Sequence, residues 1–279
     1  MSTKSSIGII GRGKLGSALH QALRSSFPID FVVDKHSNDS LIMKSIDKIK
    51  TLPDIVILTV QDSNIANLAE DLASREDLDF EKTLFIHCSG LLDKDVLSPL
   101  KEKGAQLAAA HPFQTFYFGS RDPFKGIAWG IDADEEMPQI NEMIEFLEGK
   151  YFYFDQDKKK KDLYHLSAVV ASNFMTPIIS LSKIIADAAG IPVKDFLAPI
   201  IKTTIENNLE SEIGEFPLTG PIARGDKATL KLHLKSLDFD PHFKKAYSHF
   251  ALATLELSHK KGILDEKILC ELRDILLDS

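Results

Sequence analysis

Residues 6–16 read SIGIIGRGKLG, an apolar run followed by three glycines with the spacing G-x-G-x-x-G. The run predicts a buried strand, and residues 14–24 predict a helix. In such a corner Gly11 allows the tight turn, Gly13 lets a diphosphate approach the backbone, and Gly16 lets helix and strand pack closely. We therefore expect a nucleotide-binding corner, with a glycine turn that binds no ligand as the alternative. It would consist of Gly11, Arg12, Gly13, Lys14, Leu15 and Gly16.

The first half of the chain alternates short apolar runs with helical stretches, which is typical of a doubly wound parallel sheet. After the first strand, the predicted strands are 30–34, 55–60, 84–87, 106–110, 126–131 and 151–154. No strand pattern follows residue 157, where the predicted helices are 162–189, 193–209, 227–237, 241–261 and 265–277. We expect an α/β fold: a Rossmann domain over residues 1–154 and an all-helical substrate and dimerisation domain over residues 155–279.

The composition is that of a globular protein. Of 279 residues, 44% are hydrophobic and 27% are charged, and the formal net charge is −8. Because nucleic-acid binding depends on a basic surface, a nucleic-acid partner is not expected. The two cysteines are far apart and the nine histidines are scattered, so we expect neither disulfides nor a metal site, and a cytoplasmic location.

Residues 162–189 carry apolar side chains at three- and four-residue steps on more than one face. Their uncharged part, residues 166–182, has nearly the length of a membrane span, but its serines, Asn173 and Pro177 favour a buried helix of a protein without membrane contact. The helix should be covered by other helices or by a second subunit, which predicts a homodimer. Pro177 lacks an amide donor and should disturb the helix near Asn173. The lysine run 158–161 predicts a solvated helix start, with phosphate binding as the less favoured alternative.

Other candidate cofactor ligands follow the ends of the second, third and fourth strands. Asp34 would hydrogen-bond an unphosphorylated ribose, whereas Arg12, Lys35, His36 and Ser37 could hold a 2′-phosphate, so the sequence leaves NAD and NADP open. The next two loops should flank the cofactor, because ligands bind at the carboxyl ends of parallel strands. Their candidate residues are Val60, Gln61, Asp62, Ser89 and Gly90, although Asp62 could equally cap the following helix.

Four residues are candidates for catalysis. His111 lies at a predicted strand end and could transfer a proton, although it could also be a structural histidine. His165 and Asn173 lie two turns apart on one predicted helix, and both could face a cleft or satisfy each other in a helical interface. Arg224 follows a Gly-Pro turn and could bind a substrate carboxylate, while Asp226 is expected to cap the next helix.

Five motifs in this order resemble a bacterial Rossmann-like family. They are the glycine corner, HCSGLL at 87–92, AAHPFQTF at 109–116, LYHLSAVVASNF at 163–174 and LTGPIARGD at 218–226. The helical half of that family is a domain of unknown function. The family is related to pyrroline-5-carboxylate reductase and to proteins with a 6-phosphogluconate dehydrogenase-like C-terminal domain. The resemblance covers nearly the whole chain.

The resemblance implies an NAD(P)-binding domain, more often specific for NADP, joined to a helical domain that dimerises and completes the active site. It implies that the three glycines bind the cofactor and that His111, His165, Asn173 and Arg224 face the cleft. Lys35 falls where a basic residue is expected to meet the 2′-phosphate. Asp34 replaces the small polar residue expected there, which weakens the expectation of NADP.

The main hypothesis is therefore an NAD(P)-dependent oxidoreductase acting on a C=O or C=N group of a small metabolite with a carboxylate. His111 would donate the proton, Asn173 would orient the electrophile, and Arg224 would bind the carboxylate. The alternative is a nicotinamide-dinucleotide-binding regulatory protein without catalysis. A hydrolase built on Cys88 and His87 is disfavoured, because neighbouring residues of a strand point to opposite faces.

Overall fold

The computed structural model describes residues 4–117, 122–155, 157–215 and 217–278. The chain divides into two compact units, Met1–Met175 and Thr176–Ser279. The sequence places the division earlier, after residue 154. The difference arises because the helix that follows residue 157 packs its first turns on the sheet, through Lys161 and Tyr164.

One seven-stranded sheet forms the centre of the first unit. Its strands are β1 Ile7–Ile10, β2 Ile29–Val33, β3 Ile55–Leu58, β4 Leu84–His87, β5 Gln106–Pro112, β6 Ala128–Ala133 and β7 Lys150–Tyr153. Their order is β2-β1-β3-β4-β5-β6-β7. The predicted α/β Rossmann-type sheet is confirmed. The expectation of parallel strands fails at one pair, because β6 runs antiparallel to β5. A parallel pair needs a long crossover, and the described residues between these two strands form no helix.

The helices of the first unit cover both faces of this sheet. They are α1 Lys14–Leu23, α2 Ile65–Ala73, α3 Ser98–Lys101, α4 Pro138–Phe146 and α5 Lys158–Ala168. Sequence analysis missed α4, although Ile140, Met143 and Ile144 have the spacing of a helix face. Successive strand residues point to opposite faces of the sheet. Ile9 packs with α1 and α4 on one face, whereas Ile10 packs with α2 on the other.

The long apolar helix predicted over 162–189 is interrupted. After α5 comes a π-helical turn, Val169–Asn173, and then α6, Met175–Ala188. This turn lies where Pro177 was expected to disturb the helix. Of the two predicted covers for this helix, other helices of the chain do not bury Val170, Phe174 and Ile178, which are exposed. Cover by a second subunit stays a prediction. By length and composition alone, Lys158–Ala188 is the one helix among the described residues that could cross a membrane.

Among the described residues of the second unit, all regular secondary structure is helical. The unit continues with α7 Val193–Glu210, α8 Lys227–Ser236, α9 Pro241–Lys260 and α10 Glu266–Leu277. Side chains of the last three helices form a separate apolar core around Leu230, Leu255 and Leu272. In contrast, α7 has no buried residue. The predicted all-helical C-terminal domain is thus confirmed, with one apolar helix left uncovered by the chain.

Candidate functional site

A cavity of about 620 Å³ lies at the carboxyl ends of β1, β2 and β3. The strand order reverses at β1, so this is the switch point at which open α/β sheets bind ligands. Of the predicted cofactor residues, the cavity is lined by Gly11, Arg12, Gly13, Asp34, Lys35, Val60 and Gln61. Seven of the predicted cofactor residues thus lie together at one cavity.

The three glycines have the distinct roles that their spacing predicts. Gly11 has a φ of +101°, which disfavours any side chain. A Cβ atom on Gly16 would lie 2.1 Å from the carbonyl oxygen of Gly11, so only glycine allows α1 to pack this closely. A Cβ atom on Gly13 would meet no protein atom within 4 Å. No side chain caps the start of α1. The corner thus offers open space and helix amides to a diphosphate.

Basic side chains line the cavity beside the end of β2. Lys35, His36 and Lys44 are among its lining residues. The Nε atom of Arg12 is buried without a hydrogen-bond partner, and the Arg12 guanidinium lies 4.0 Å from Asp39. A buried donor without a partner is costly, so it points to a polar ligand. The residues present therefore fit a phosphorylated dinucleotide.

Two residues near the end of β2 are engaged by their own loop. The carboxylate of Asp34 accepts a hydrogen bond of 3.0 Å from the backbone N–H of His36. Ser37 is buried, and its hydroxyl accepts a hydrogen bond from the N–H of Asp39. Sequence analysis missed Lys44. It is placed at the cavity by an isolated β-bridge between Val33 and Met43, the residue before it, and no sequence motif indicates this bridge.

Two further predicted cofactor residues lie outside this cavity. Lys14 extends over the ring of Tyr117, at 5.8 Å from its centroid. Leu15 packs against the apolar core between the sheet and α1. Their contribution to a phosphate site is therefore limited to the backbone amides that begin α1.

Asp62 and Ser89 join the loops that follow β3 and β4. The hydroxyl of Ser89 donates a 2.7 Å hydrogen bond to the carboxylate of Asp62. The alternative role of Asp62 as a helix cap is wrong, because no side-chain cap is present there. Ser89 is followed by Gly90, whose backbone lies against His111 and His165 instead of the nucleotide cavity. The chain Asp62–Ser89–Gly90 thus runs from the third strand end to the two histidines.

A second cavity has a volume of about 290 Å³ and contains three of the four predicted catalytic residues, His111, His165 and Asn173. The imidazole rings of His111 and His165 are 5.9 Å apart. The π-helical turn ends at Asn173, and turns of this kind occur often at functional sites. A Cβ atom on Gly90 would lie 2.5 Å from Cδ2 of His165 and 3.0 Å from Nε2 of His111, so only glycine lets the two rings approach this backbone.

Burial, with the neighbouring His165, lowers the pKa of His111 to about 4. The imidazole is therefore neutral at neutral pH. This conflicts with the expectation that His111 acts as a proton donor, since few molecules would carry the extra proton.

A buried ion network fixes α5 beside this cavity. Lys161 is 2% exposed. Its ammonium group lies 3.0 Å from the carboxylate of Asp132 on β6 and donates a hydrogen bond to the carbonyl oxygen of Leu92. Burial opposes ionisation of Asp132, but the Lys161 hydrogen bond and the nearby Lys94 outweigh it, so the pKa of Asp132 is lowered. Lys158 and Lys160 are exposed, as predicted for a solvated run, but Lys161 is not.

The second unit holds Arg224 and Asp226. Arg224 is exposed in the turn before α8, and its place in the active site stays a prediction. Asp226 caps α8, as expected, by accepting hydrogen bonds from the backbone N–H and the hydroxyl of Thr229.

The hydrolase alternative finds no support at Cys88. Burial raises the pKa of the Cys88 thiol to about 12, which disfavours a nucleophilic thiolate. Both ring nitrogens of His87 are hydrogen-bonded: Nε2 to the carbonyl oxygen of Asp93, and Nδ1 to the backbone N–H of Ser89. Among the described residues, no group of three or more His, Cys, Asp or Glu is placed to hold a metal ion.

A mostly parallel sheet whose order reverses beside a glycine-rich corner defines a Rossmann-like dinucleotide-binding fold. Residues 1–112 match the family described as Rossmann-like domain, and residues 127–254 match the domain of unknown function DUF2520. The chain thus combines these two domains, and the resemblance inferred from the motifs is confirmed. No curated protein sequence matches this chain significantly.

Solved structures with the same fold include several described as oxidoreductases. A Bacteroides fragilis protein proposed to be an NADP oxidoreductase is 22% identical, with a TM-score of 0.77 over 90% of this chain and 98% of that chain. An imine reductase variant from Myxococcus stipitatus in complex with NAD+ is 15% identical, with a TM-score of 0.57 over 96% and 99%. Pyrroline carboxylate reductase from Plasmodium falciparum with NADP bound is 13% identical, with a TM-score of 0.53 over 94% and 98%.

Proposed function

We propose that this protein is an NAD(P)H-dependent oxidoreductase that reduces a C=N or C=O group of a small carboxylate-bearing metabolite. The observation that carries the proposal is the pairing of two cavities in one compact unit. One cavity is built around the glycine corner, and the other holds His111, His165 and Asn173. Between the sets of residues that line the two cavities, the hydrogen bond from Ser89 to Asp62 joins the loops that follow β3 and β4.

When bound, the reduced nicotinamide supplies a hydride, and the protein must position the acceptor. Gly11, Gly13 and the start of α1 would hold the diphosphate. His111 and Asn173 would orient the reacting group. Arg224 would bind the substrate carboxylate through a bidentate ion pair, the geometry that a guanidinium favours.

NADP is the proposed cofactor. Lys35, His36 and Lys44 line the cavity beside the end of β2, where the ribose of a dinucleotide is bound in this fold, and Arg12 has a buried unpartnered Nε atom. These cations would attract a 2′-phosphate more strongly than the single carboxylate of Asp34 would repel it. Proteins of this fold have been solved with NAD+, as in the Myxococcus stipitatus enzyme, and with NADP, as in the Plasmodium falciparum enzyme.

The test is NADPH and NADH oxidation followed at 340 nm, with cyclic imino acids and 2-keto acids as substrates. We expect turnover with NADPH that His111→Asn and Asn173→Ala lower by at least about tenfold. Dinucleotide binding without turnover across the panel would contradict the enzymatic function and favour a regulatory protein.

We also propose that the protein is a homodimer formed through its C-terminal helices. Four exposed apolar residues on α7 support the proposal: Phe196, Ile200, Ile205 and Leu209. Such a helix is stable in water only when a partner covers it. Light scattering after gel filtration should give twice the mass of one chain, and Phe196→Glu with Ile200→Glu should give a monomer or insoluble protein. A wild-type monomer, or a protein extracted only with detergent, would contradict the proposal.

A further inference from the structure

Tyr164 lies against the side of the His111 ring that faces away from Gly90. Its hydroxyl oxygen is 3.3 Å from Nδ1 of His111 and 2.9 Å from the carbonyl oxygen of His111. It also accepts a hydrogen bond of 3.2 Å from the N–H of Gly130 on β6. One hydroxyl thus contacts three polar atoms of the paired strands β5 and β6. Sequence analysis did not select Tyr164, because its partners come from strands distant in sequence.

The position of the Tyr164 ring is fixed by its surroundings. It packs against the rings of Phe113, Phe152 and Phe154, with centroids 4.6, 5.4 and 5.2 Å away. Lys161, one turn earlier on α5, is tied to Asp132 and to the carbonyl of Leu92. Burial raises the pKa of Tyr164, so its hydroxyl keeps its proton.

The single hydroxyl hydrogen determines which group donates to which. A carbonyl oxygen can only accept, and it is the nearer of the two acceptors within reach of the hydroxyl hydrogen, so the hydrogen is directed to the His111 carbonyl. The hydroxyl oxygen then has its lone pairs toward Gly130 N–H and toward Nδ1. Only a protonated Nδ1 can make a favourable contact there. In a neutral imidazole this leaves Nε2 without a hydrogen.

We propose that Tyr164 is a positioning residue that holds His111 as the Nδ1–H tautomer, so that Nε2 accepts a hydrogen bond from a substrate that brings its own N–H, a protonated imine. This inference rests on the proposed reductase function and narrows its substrate class. Nε2 lies on the ring edge beside the backbone of Gly90 and close to Cδ2 of His165, and both imidazole rings line the second cavity. The low pKa of His111 agrees with a neutral ring at neutral pH.

The chemistry balances without a proton from His111. A hydride forms a bond to the iminium carbon, the π electrons of C=N move to nitrogen, and the positive charge disappears. The nitrogen keeps its hydrogen, which remains hydrogen-bonded to Nε2, and the product is a neutral amine. A ketone would instead become an alkoxide that needs a proton, which Nε2 without a hydrogen cannot supply.

The tautomer can be measured directly by NMR on protein with 15N-labelled histidine. Long-range 1H–15N spectra at neutral pH should show His111 with a protonated Nδ1 and a bare Nε2. His87 is the internal reference and should show the opposite tautomer, since its Nε2 faces the Asp93 carbonyl and its Nδ1 faces the Ser89 N–H. A protonated Nε2 on wild-type His111 would overturn the inference, with no variant needed.

The matched variants are Tyr164→Phe and Tyr247→Phe. Tyr247 forms a second tyrosine–histidine pair, 2.9 Å from Nδ1 of His233, in the other compact unit. Tyr164→Phe should abolish the pure Nδ1–H signal of His111, whereas Tyr247→Phe should leave it unchanged. An unchanged His111 signal in folded Tyr164→Phe would overturn the role of Tyr164.

Turnover then tests the substrate class. With NADPH, we expect cyclic imines bearing a carboxylate to react at least about a hundredfold faster than 2-keto acids of equal size, and Tyr164→Phe to lower kcat about tenfold with little change in KM for NADPH. Equal or faster keto-acid turnover would overturn the imine assignment while leaving the oxidoreductase function intact. Failure to bind either dinucleotide would instead refute the proposed function. The NMR spectra would still test the His111 tautomer independently of that outcome.

Discussion

At the scale of single residues, we expect Gly13 to matter for dinucleotide binding and Gly16 for the stability of the fold. A methyl group on Gly13 would enter open space, whereas on Gly16 it would lie 2.1 Å from the Gly11 carbonyl oxygen. We expect Gly13→Ala to change the free energy of unfolding by less than about 1 kcal/mol and to weaken dinucleotide binding by at least about tenfold. Gly16→Ala should lower the free energy of unfolding by about 2 kcal/mol or more. Urea denaturation measures the stability of both variants, and calorimetry measures their dinucleotide binding. Undiminished binding by Gly13→Ala would contradict the role of Gly13 in the dinucleotide site.

Lys35 and Lys44 are expected to select the phosphorylated dinucleotide. Replacing both by Gln should weaken NADPH binding by about tenfold to a hundredfold, since charge-assisted hydrogen bonds to the 2′-phosphate are lost, and should leave NADH binding nearly unchanged. The control is Lys48→Gln, an exposed lysine outside the cavity. Equal losses for NADPH and NADH in a binding titration would show that these lysines do not read the 2′-phosphate.

At the scale of elements, α5 is held to β6 by a buried ion pair. Lys161→Met leaves Asp132 buried without its main partner, so the free energy of unfolding should fall by about 3–5 kcal/mol. The control is Lys160→Met on the same helix, where the lysine is exposed and the effect should stay within about 1 kcal/mol. Equal urea midpoints for the two variants would show that the ion pair does not anchor the helix.

The elements also show what local sequence can and cannot predict. Apolar or aromatic runs indicated all seven strands, and the signal is strongest at β1, β3 and β4, which are buried on both faces and apolar almost throughout. The antiparallel direction of β6 and the helix α4 were missed, since neither has a strong local signal. Lys161 and Tyr164 were missed for another reason: their partners Asp132 and Gly130 lie about thirty residues away in sequence. Long-range side-chain contacts of this kind are set by the fold.

At the scale of the whole molecule, the buried His87 and the half-buried His111 make stability depend on pH. Burial lowers the pKa values of His87 and His111 to about 4. Between about pH 4 and 6.5 the unfolded chain binds protons at these positions and the folded chain does not, so stability is highest above this window and falls as the pH decreases through it. His111→Asn should reduce the slope of unfolding free energy against pH by about 1.4 kcal/mol per pH unit within the window.

The matched control for this pH dependence is His242→Asn, because His242 is exposed on α9. Its slope should equal that of the wild type in urea denaturation repeated across the window. A slope unchanged in His111→Asn would mean that His111 titrates normally in the folded protein.

The sequence predicted which residues line the nucleotide cavity and the second cavity, but not the contacts among them. His111, His165 and Asn173 were expected to share a cleft, and they line one cavity. Ser89 and Gly90 were expected at the cofactor, whereas Ser89 donates a hydrogen bond to Asp62 and Gly90 lies against His111 and His165. A motif indicates which strand end carries a residue, but the direction of each side chain depends on the neighbouring strands and helices. Arg224, on the second unit, stays a prediction.

The most direct test is a calorimetric titration of the wild-type protein with NADPH, with Gly13→Ala measured beside it. We expect saturable binding of one dinucleotide per chain, a higher melting temperature in the complex, and loss of both effects in the variant. An absence of heat and of thermal stabilisation with both NADPH and NADH would contradict a dinucleotide site at the β1–α1 corner.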